Sequence, residues 1–273
     1  MPVKEPSFVM IDGRRTAYDE VSPANPQGTV LLLTGLGSNR LGWYGQLEVF
    51  GRTYRTIALD YRDVGDSDPV SEPYTLADLA DDAATVLSTL GVQRAHVVGI
   101  SMGGFVAQQV ALRHPDLVEK LVLVATSAGG STHVPPNPEM MALLGQPDLQ
   151  LEAGERRRRT YARIAAPGYF ESHPADWDRV AGNARHRPQR QESYFRQLQA
   201  GMTNDVSGQL DHIQAPTLVV HGEVDPLVVA ENGRYLAQHI KGARLILYPN
   251  TGHIVIVERA EDFNRDVLAF LER

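Results

Sequence analysis

Short, continuous apolar runs bounded by Gly, Pro, Asp and Asn alternate along this chain with longer stretches whose apolar residues recur every three or four positions. The short runs, Thr29–Leu33, Thr56–Leu59, Ala95–Ile100, Val118–Ala125, Thr217–His221 and Leu245–Tyr248, read as strands buried on both faces. Ahead of them, Phe8–Ile11, Asp12-Gly13 and Arg15–Tyr18 read as a hairpin, because Asp-Gly suits a tight turn between strands. A helix is predicted from Thr75, where Leu76, Leu79, Ala83, Val86, Leu87 and Leu90 share one face; Thr75 and Asp78 supply a capping-box start and Gly91 a stop. Further helices are predicted over Met102–Arg113, ended by Pro115, over Leu227–Ile240 and over Glu258–Glu272. This alternation predicts an α/β architecture: a mostly parallel, doubly wound sheet covered on both faces, with the N-terminal hairpin adding antiparallel strands at one edge.

The rhythm breaks between residues 127 and 205, where no buried strand is evident. The segment begins with Gly129-Gly130-Ser131 and Pro135-Pro136-Asn137-Pro138, then contains helical stretches at Glu155–Ala166 and Arg190–Met202. An insertion of this length fits a small helical cap better than a structureless loop. The expected organisation is a core formed by residues 1–126 and 206–273, with 127–205 as the inserted cap.

Composition narrows the function. The 273 residues are 42% hydrophobic and 22% charged, as in ordinary globular proteins, and the length suits one α/β core with an insertion. A net charge of -7 argues against a nucleic-acid partner. Without cysteine there can be no disulfide, thiolate-bound metal, iron–sulfur cluster or thiol nucleophile. The start, Met1-Pro2-Val3-Lys4-Glu5-Pro6, lacks the apolar core of a secretory signal, and no stretch approaches the roughly 18 apolar residues of a spanning helix. A cytoplasmic protein without a membrane partner is expected; the oligomeric state is not legible.

One cluster carries chemistry. Gly99-Ile100-Ser101-Met102-Gly103-Gly104 matches G-x-S-x-G, a pattern that chance supplies about once in ten chains of this length. Its setting is more specific. Ser101 falls directly between a predicted strand and a small-residue helix, where a sharp turn can lift a nucleophilic hydroxyl to the helix N-terminus. The competing reading is a serine that merely caps the helix. A serine nucleophile needs a base, and the base an orienting acid. Past the strand Thr217–His221 lie Glu223 and Asp225; past the strand ending at Tyr248 lies His253. Among the nine histidines, His221 reads as a satisfied structural residue, His96 and His114 as element ends, and His133, His173, His186, His212 and His239 as surface or cap residues. No pair has metal-ligand spacing, so no metal is expected.

Gly99-Ile100-Ser101-Met102-Gly103-Gly104, His221-Gly222-Glu223-Val224-Asp225-Pro226, Gly252-His253 and Asp60-x-Arg62-x-x-Gly65-x-Ser67-Asp68 together resemble the α/β-hydrolase superfamily over essentially the whole chain. The resemblance implies the α/β-hydrolase fold and a serine–acid–histidine order, which selects Asp225 over Glu223. It assigns Ser101 as nucleophile, His253 as base and Asp225 as its orienting acid, with the backbone N–H groups of Met102 and Leu36 as the oxyanion hole. The family usually has His-Gly at the start of the oxyanion loop; here it is Thr34-Gly35, so the histidine's anchoring contact is either lost or replaced by the Thr34 hydroxyl. Trp43 and Ile254 are expected as substrate-pocket residues, Trp43 serving equally well as core packing. Asp60 and Arg62 are read as a structural pair, and Arg156–Arg159 as a solvated basic face beside Glu152 and Glu155.

Enol-lactonases, bacterial arylesterases, polyketide methylesterases and cofactor-free haloperoxidases share these motifs. The expected activity is therefore cofactor-free hydrolysis of a small carboxylic ester or lactone through an acyl-enzyme. C–C bond hydrolysis or perhydrolysis on the same triad is the enzymatic alternative, and a ligand receptor on a hydrolase scaffold the non-enzymatic one. Dehalogenases and epoxide hydrolases place Asp where this chain has Ser101.

Overall fold

The computed structural model describes residues 5–148 and 150–272; the Met1–Lys4 part of the signal-sequence reading lies outside them. Among the described residues, eight strands form one sheet: β1 (Ser7–Ile11), β2 (Arg14–Val21), β3 (Thr29–Leu33), β4 (Arg55–Leu59), β5 (Ala95–Ile100), β6 (Val118–Val124), β7 (Thr217–Gly222) and β8 (Arg244–Tyr248). Their spatial order is β1-β2-β4-β3-β5-β6-β7-β8. The pairs β1–β2 and β2–β4 are antiparallel and all others parallel. The predicted hairpin is present, and Asp12 (φ 49°) and Gly13 (φ 78°) both take the positive φ that a two-residue turn between right-twisted strands requires.

The helices are α1 (Leu47–Phe50), α2 (Leu76–Thr89), α3 (Met102–Arg113), α4 (Pro138–Gly145), α5 (Ala153–Ile164), α6 (Tyr169–Ser172), α7 (Pro174–His186), α8 (Gln191–Met202), α9 (Ala230–His239), α10 (Val255–Glu258) and α11 (Ala260–Leu271). At the start of α2, Thr75 and Asp78 form the reciprocal capping box. The period-two geometry of the strands divides the core. Leu31, Leu33, Val97, Leu121 and Leu123 face α2, α3 and α9. Their neighbours Val30, Leu32, Val98, Val122 and Val124 face Phe50 of α1 and Phe263, Val267 and Phe270 of α11. Every one of these strand side chains is fully buried, and each contributes about 1.5–3 kcal/mol of burial free energy, which explains the unbroken apolar runs.

Among the described residues, five helices, α4–α8, lie between β6 and β7. The segments predicted at Glu155–Ala166 and Arg190–Met202 correspond to α5 and α8. The short α4 and α6 bury one residue each, Met140 and Phe170, and show no period, whereas α7 carries Trp177, Val180, Ala181 and Ala184 along one face. The insertion is tied to the core by charge. Asp63, whose side chain is fully buried, accepts from Arg190 Nη2 at 2.6 Å and Arg196 Nε at 2.8 Å, and Arg187 pairs with Asp66. No helix among the described residues is long and apolar enough to cross a membrane.

Candidate active site

Residues with reactive side chains gather where the parallel strands end, the edge at which open α/β sheets collect their functional groups. Between β5 and α3, Ser101 occupies the turn alone, with φ 55° and ψ -120°, a conformation costing an L-residue on the order of 1–3 kcal/mol. Three bonds impose it: Ser101 N–H donates to Val124 O at 2.9 Å, and its carbonyl accepts from Thr126 Oγ1 and Gly104 N, each at 2.8 Å. A Cβ on Gly99 would sit 2.1 Å from Gly103 O, and one on Gly103 2.2 Å from Leu33 O, so strand, turn and helix approach closely enough to exclude any side chain. A capping serine would accept from the first-turn N–H groups; Ser101 makes no such bond and instead lines a large cavity.

The acid and the imidazole come from adjacent strands. Pairing of Gly222 with Tyr248 aligns the loops after β7 and β8, and Glu223 N–H to Tyr248 O (2.9 Å) and Val224 N–H to Thr251 O (3.1 Å) lace them together. Asp225 is buried, whereas Glu223 is exposed. Asp225 Oδ1 accepts from the N–H groups of Leu227 (2.8 Å) and Val228 (2.9 Å), and Oδ2 from His253 Nδ1 at 2.8 Å. His221 Nε2 donates to Val228 O at 2.6 Å and stands 3.4 Å from Asp225 Oδ2. Burial by itself would raise the Asp225 pKa. The charge of His253, hydrogen bonds from both histidines and the charge of His221 outweigh it and hold the carboxyl at about 2. With Nδ1 committed to Asp225, Nε2 is the ring nitrogen of His253 left free. Ser101 and His253 line the same cavity, and no hydrogen bond joins Oγ to Nε2.

The loop after β3 forms the third wall. Ser38 N–H donates to Gly35 O at 3.2 Å, closing a turn with Leu36 and Gly37 (φ 72°) at its centre. Thr34 Oγ1 donates to Ser38 O at 3.3 Å and Tyr61 OH to Thr34 O at 3.2 Å, so threonine does anchor the loop where the family usually has histidine. Gly35 abuts the nucleophile: a Cβ there would be 3.2 Å from Ser101 Cβ. Leu36 and Met102 both line the cavity, and no group among the described residues takes up the N–H of either.

The cavity encloses about 580 Å³ and is mostly apolar, with Phe105, Met141, Leu143, Val180 and Ile254 among its walls. Ile254 is among its walls, whereas Trp43 takes the core-packing alternative: it is fully buried with Phe50 and Phe263, and its neighbour Tyr44 lines the cavity. The short 3-10 turn Arg40–Trp43 rotates Trp43 inward, a direction that spacing alone could not reveal. Asp60 and Arg62 are not a pair either. Asp60 binds Arg40 through its N–H (2.7 Å) and Nη1 (2.6 Å), while Arg62 grips Asp82 on α2 at 2.6 and 2.7 Å. The basic run is not simply a solvated face, since Arg156 and Arg157 line the cavity. His133 also lines it, 2.9 Å from Ser127 Oγ, and burial lowers its pKa.

The family description "alpha/beta hydrolase fold" matches residues 28–260, which includes the elbow, the acid loop and His253. The chain belongs to the α/β-hydrolase family. This hydrolase is 32% identical over 267 residues to a protein named as a carbamate hydrolase, RutD, from Caulobacter sp. (strain K31), covering 93% of this chain and 95% of that one. It is likewise 32% identical over 271 residues to the 2-hydroxy-6-oxononadienedioate/2-hydroxy-6-oxononatrienedioate hydrolase of Burkholderia vietnamiensis, covering 95% and 91% of the two chains. Among solved structures, the enol-lactonase of Burkholderia xenovorans LB400 superposes with a TM-score of 0.85 at 26% identity, over 98% of this hydrolase and 100% of that chain.

Two side chains that sequence patterns did not reveal shape the site. Gln197 of α8 is fully buried and accepts from the N–H of Gly37 at 3.4 Å. Glu258 accepts from the N–H groups of both Ala166 and Gly252 at 2.9 Å, and burial raises its pKa against those two bonds. Neither lies in a motif; Gln197 reaches a backbone group 160 residues away, and Glu258 joins one 92 residues away to one six residues away.

Proposed function

We propose that this protein is a serine hydrolase that cleaves a small carboxylic ester or lactone through an acyl-enzyme. One observation carries the reading: Ser101 stands on a positive-φ elbow in the same apolar cavity as His253, whose Nδ1 is committed to the buried Asp225. His253 Nε2 takes the Ser101 proton as Oγ attacks the carbonyl carbon, and the tetrahedral oxyanion is held by the N–H groups of Met102 and Leu36. His253 then returns the proton to the leaving oxygen. A water activated by the same imidazole releases the acid. The enol-lactonase likeness supports an ester-type bond. The likeness to hydrolases named for a carbamate and for a dienedioate supports keeping acyl-nitrogen and C–C cleavage as competing outcomes.

The test pairs fluorophosphonate labelling of Ser101 with hydrolysis of p-nitrophenyl esters of increasing acyl length and of an enol-lactone. Labelling that vanishes in Ser101→Ala, together with turnover of an ester or the lactone, is expected. Labelling without either turnover would direct the assignment to C–C or carbamate substrates. Absence of both would leave a binding protein on a hydrolase scaffold.

A further inference from the structure

Helix α5 touches both halves of the candidate machinery. Near its start, Arg157 donates from Nη2 to Gly37 O at 2.5 Å and from Nη1 to Ser38 Oγ at 2.7 Å. At its last residue, Ile164 O accepts from His253 N–H at 2.7 Å, and just beyond it Ala166 N–H shares Glu258 with Gly252 N–H. The fit at that end is tight, since a Cβ on Gly252 would lie 2.5 Å from Ala165 C and Ile164 O. Arg157 has no carboxylate partner among the described residues; its remaining contacts are the Tyr161 hydroxyl at 3.0 Å and the Tyr161 ring face. A half-buried guanidinium spent on a carbonyl and a hydroxyl is fixing geometry, because an arginine kept for charge balance would sit against an acid.

We infer that Arg157 is a positioning residue for the oxyanion loop. Leu36 N–H, the donor assigned to the oxyanion, lies one peptide before Gly37. Gln197 holds the Gly37 N–H and Arg157 the Gly37 carbonyl, so the peptide planes on both sides of Gly37 are pinned from the insertion. Gly37, at φ 72°, has the conformational freedom to let that turn flip when a pin is removed. Arg157 thereby sets the direction of the Leu36 N–H without touching substrate. This inference rests on the proposed acyl-transfer reading and goes beyond it by making the insertion part of the oxyanion hole's support.

The experiment compares wild type, Arg157→Met, Arg157→Lys and Ser38→Ala, each normalised to sites titrated with a fluorophosphonate, on neutral and carboxylate-bearing p-nitrophenyl esters. In Arg157→Met, kcat is expected to fall about 10- to 100-fold with little change in KM, as for a donor displaced by a fraction of an ångström to an ångström. Affinity for a trifluoromethyl ketone, which forms an oxyanionic adduct with Ser101, should fall by a similar factor, while affinity for the product acid stays unchanged. Arg157→Lys should recover part of kcat, and Ser38→Ala should lose less than Arg157→Met and add nothing to it. A rise in KM confined to carboxylate-bearing esters would overturn the inference by making Arg157 a substrate anchor. Unchanged kcat per titrated site with a lowered melting temperature would overturn it by making the contact purely structural. If wild type turns over no ester or lactone, the acyl-transfer reading fails first and the inference with it.

Discussion

At the scale of single residues, strain and burial concentrate where the chemistry is. Besides Ser101, the non-glycine residues with positive φ include Asp63, Ala125 and Asn250, in the loop after β4, directly after β6 and in the loop after β8. Such conformations persist only where surrounding bonds over-determine them, as the three backbone bonds at Ser101 do. Ser101→Ala should therefore abolish fluorophosphonate labelling and turnover while leaving the thermal transition within a few degrees of wild type. Asp225→Asn should lose roughly 10⁴-fold in kcat, because an amide holds the imidazole in the wrong tautomer; a near-normal rate would exclude Asp225 as the orienting acid. Asp225 is also a stability group. Its folded pKa of about 2 lies below the usual carboxylate value near 3.9, so its contribution is complete above that usual value and is lost as pH falls through about 2. Chemical denaturation at pH 7 and below pH 3 should show that contribution shrinking in wild type and absent in Asp225→Asn.

At the scale of elements, the elbow depends on close approach and the insertion on charge. Gly103→Ala would push a methyl group into the Leu33 carbonyl, and the strand and helix would have to separate. We expect a loss of about 1–3 kcal/mol in stability, with a larger loss of labelling rate because Ser101 shifts with the helix. The insertion meets the loop after β4 through Asp63, held by Arg190 and Arg196. Asp63→Ala would leave two guanidiniums without their acid. Since Arg190 is half exposed, the cost should be roughly 2–4 kcal/mol, somewhat below that of a fully buried pair. Limited proteolysis should cut within residues 127–205 faster in that variant; an unchanged pattern would show that apolar packing alone seats these helices.

At the scale of the whole molecule, the cavity is a joint property of core and insertion. The walls are largely apolar and the volume of about 580 Å³ leaves room for more than an acetyl group. Specificity kcat/KM should rise with acyl length, by at most about fourfold per methylene, until the cavity is filled. A preference for acetyl esters would mean that the helices close further in solution. Asp225, held at about 2, should stay ionised at every pH where the fold is intact.

The chain's local patterning determined the sheet, its edge hairpin, the capped helix α2 and the position of Ser101 between β5 and α3, because strand burial, turn chemistry and capping act over a few residues. The choice of Asp225 over Glu223 needed a resemblance and then a geometry: two residues of separation bury one carboxylate against His253 and leave the other in water. Only tertiary structure decided that Trp43 turns into the core, that Asp60 binds Arg40 and not Arg62, and that Arg157 reaches the loop after β3, 120 residues away. Each of them depends on which way a side chain turns and on what lies across the fold, and the carbonyl that Arg157 reaches carries no residue identity. No sequence pattern can announce a partner whose only distinguishing property is its position in space.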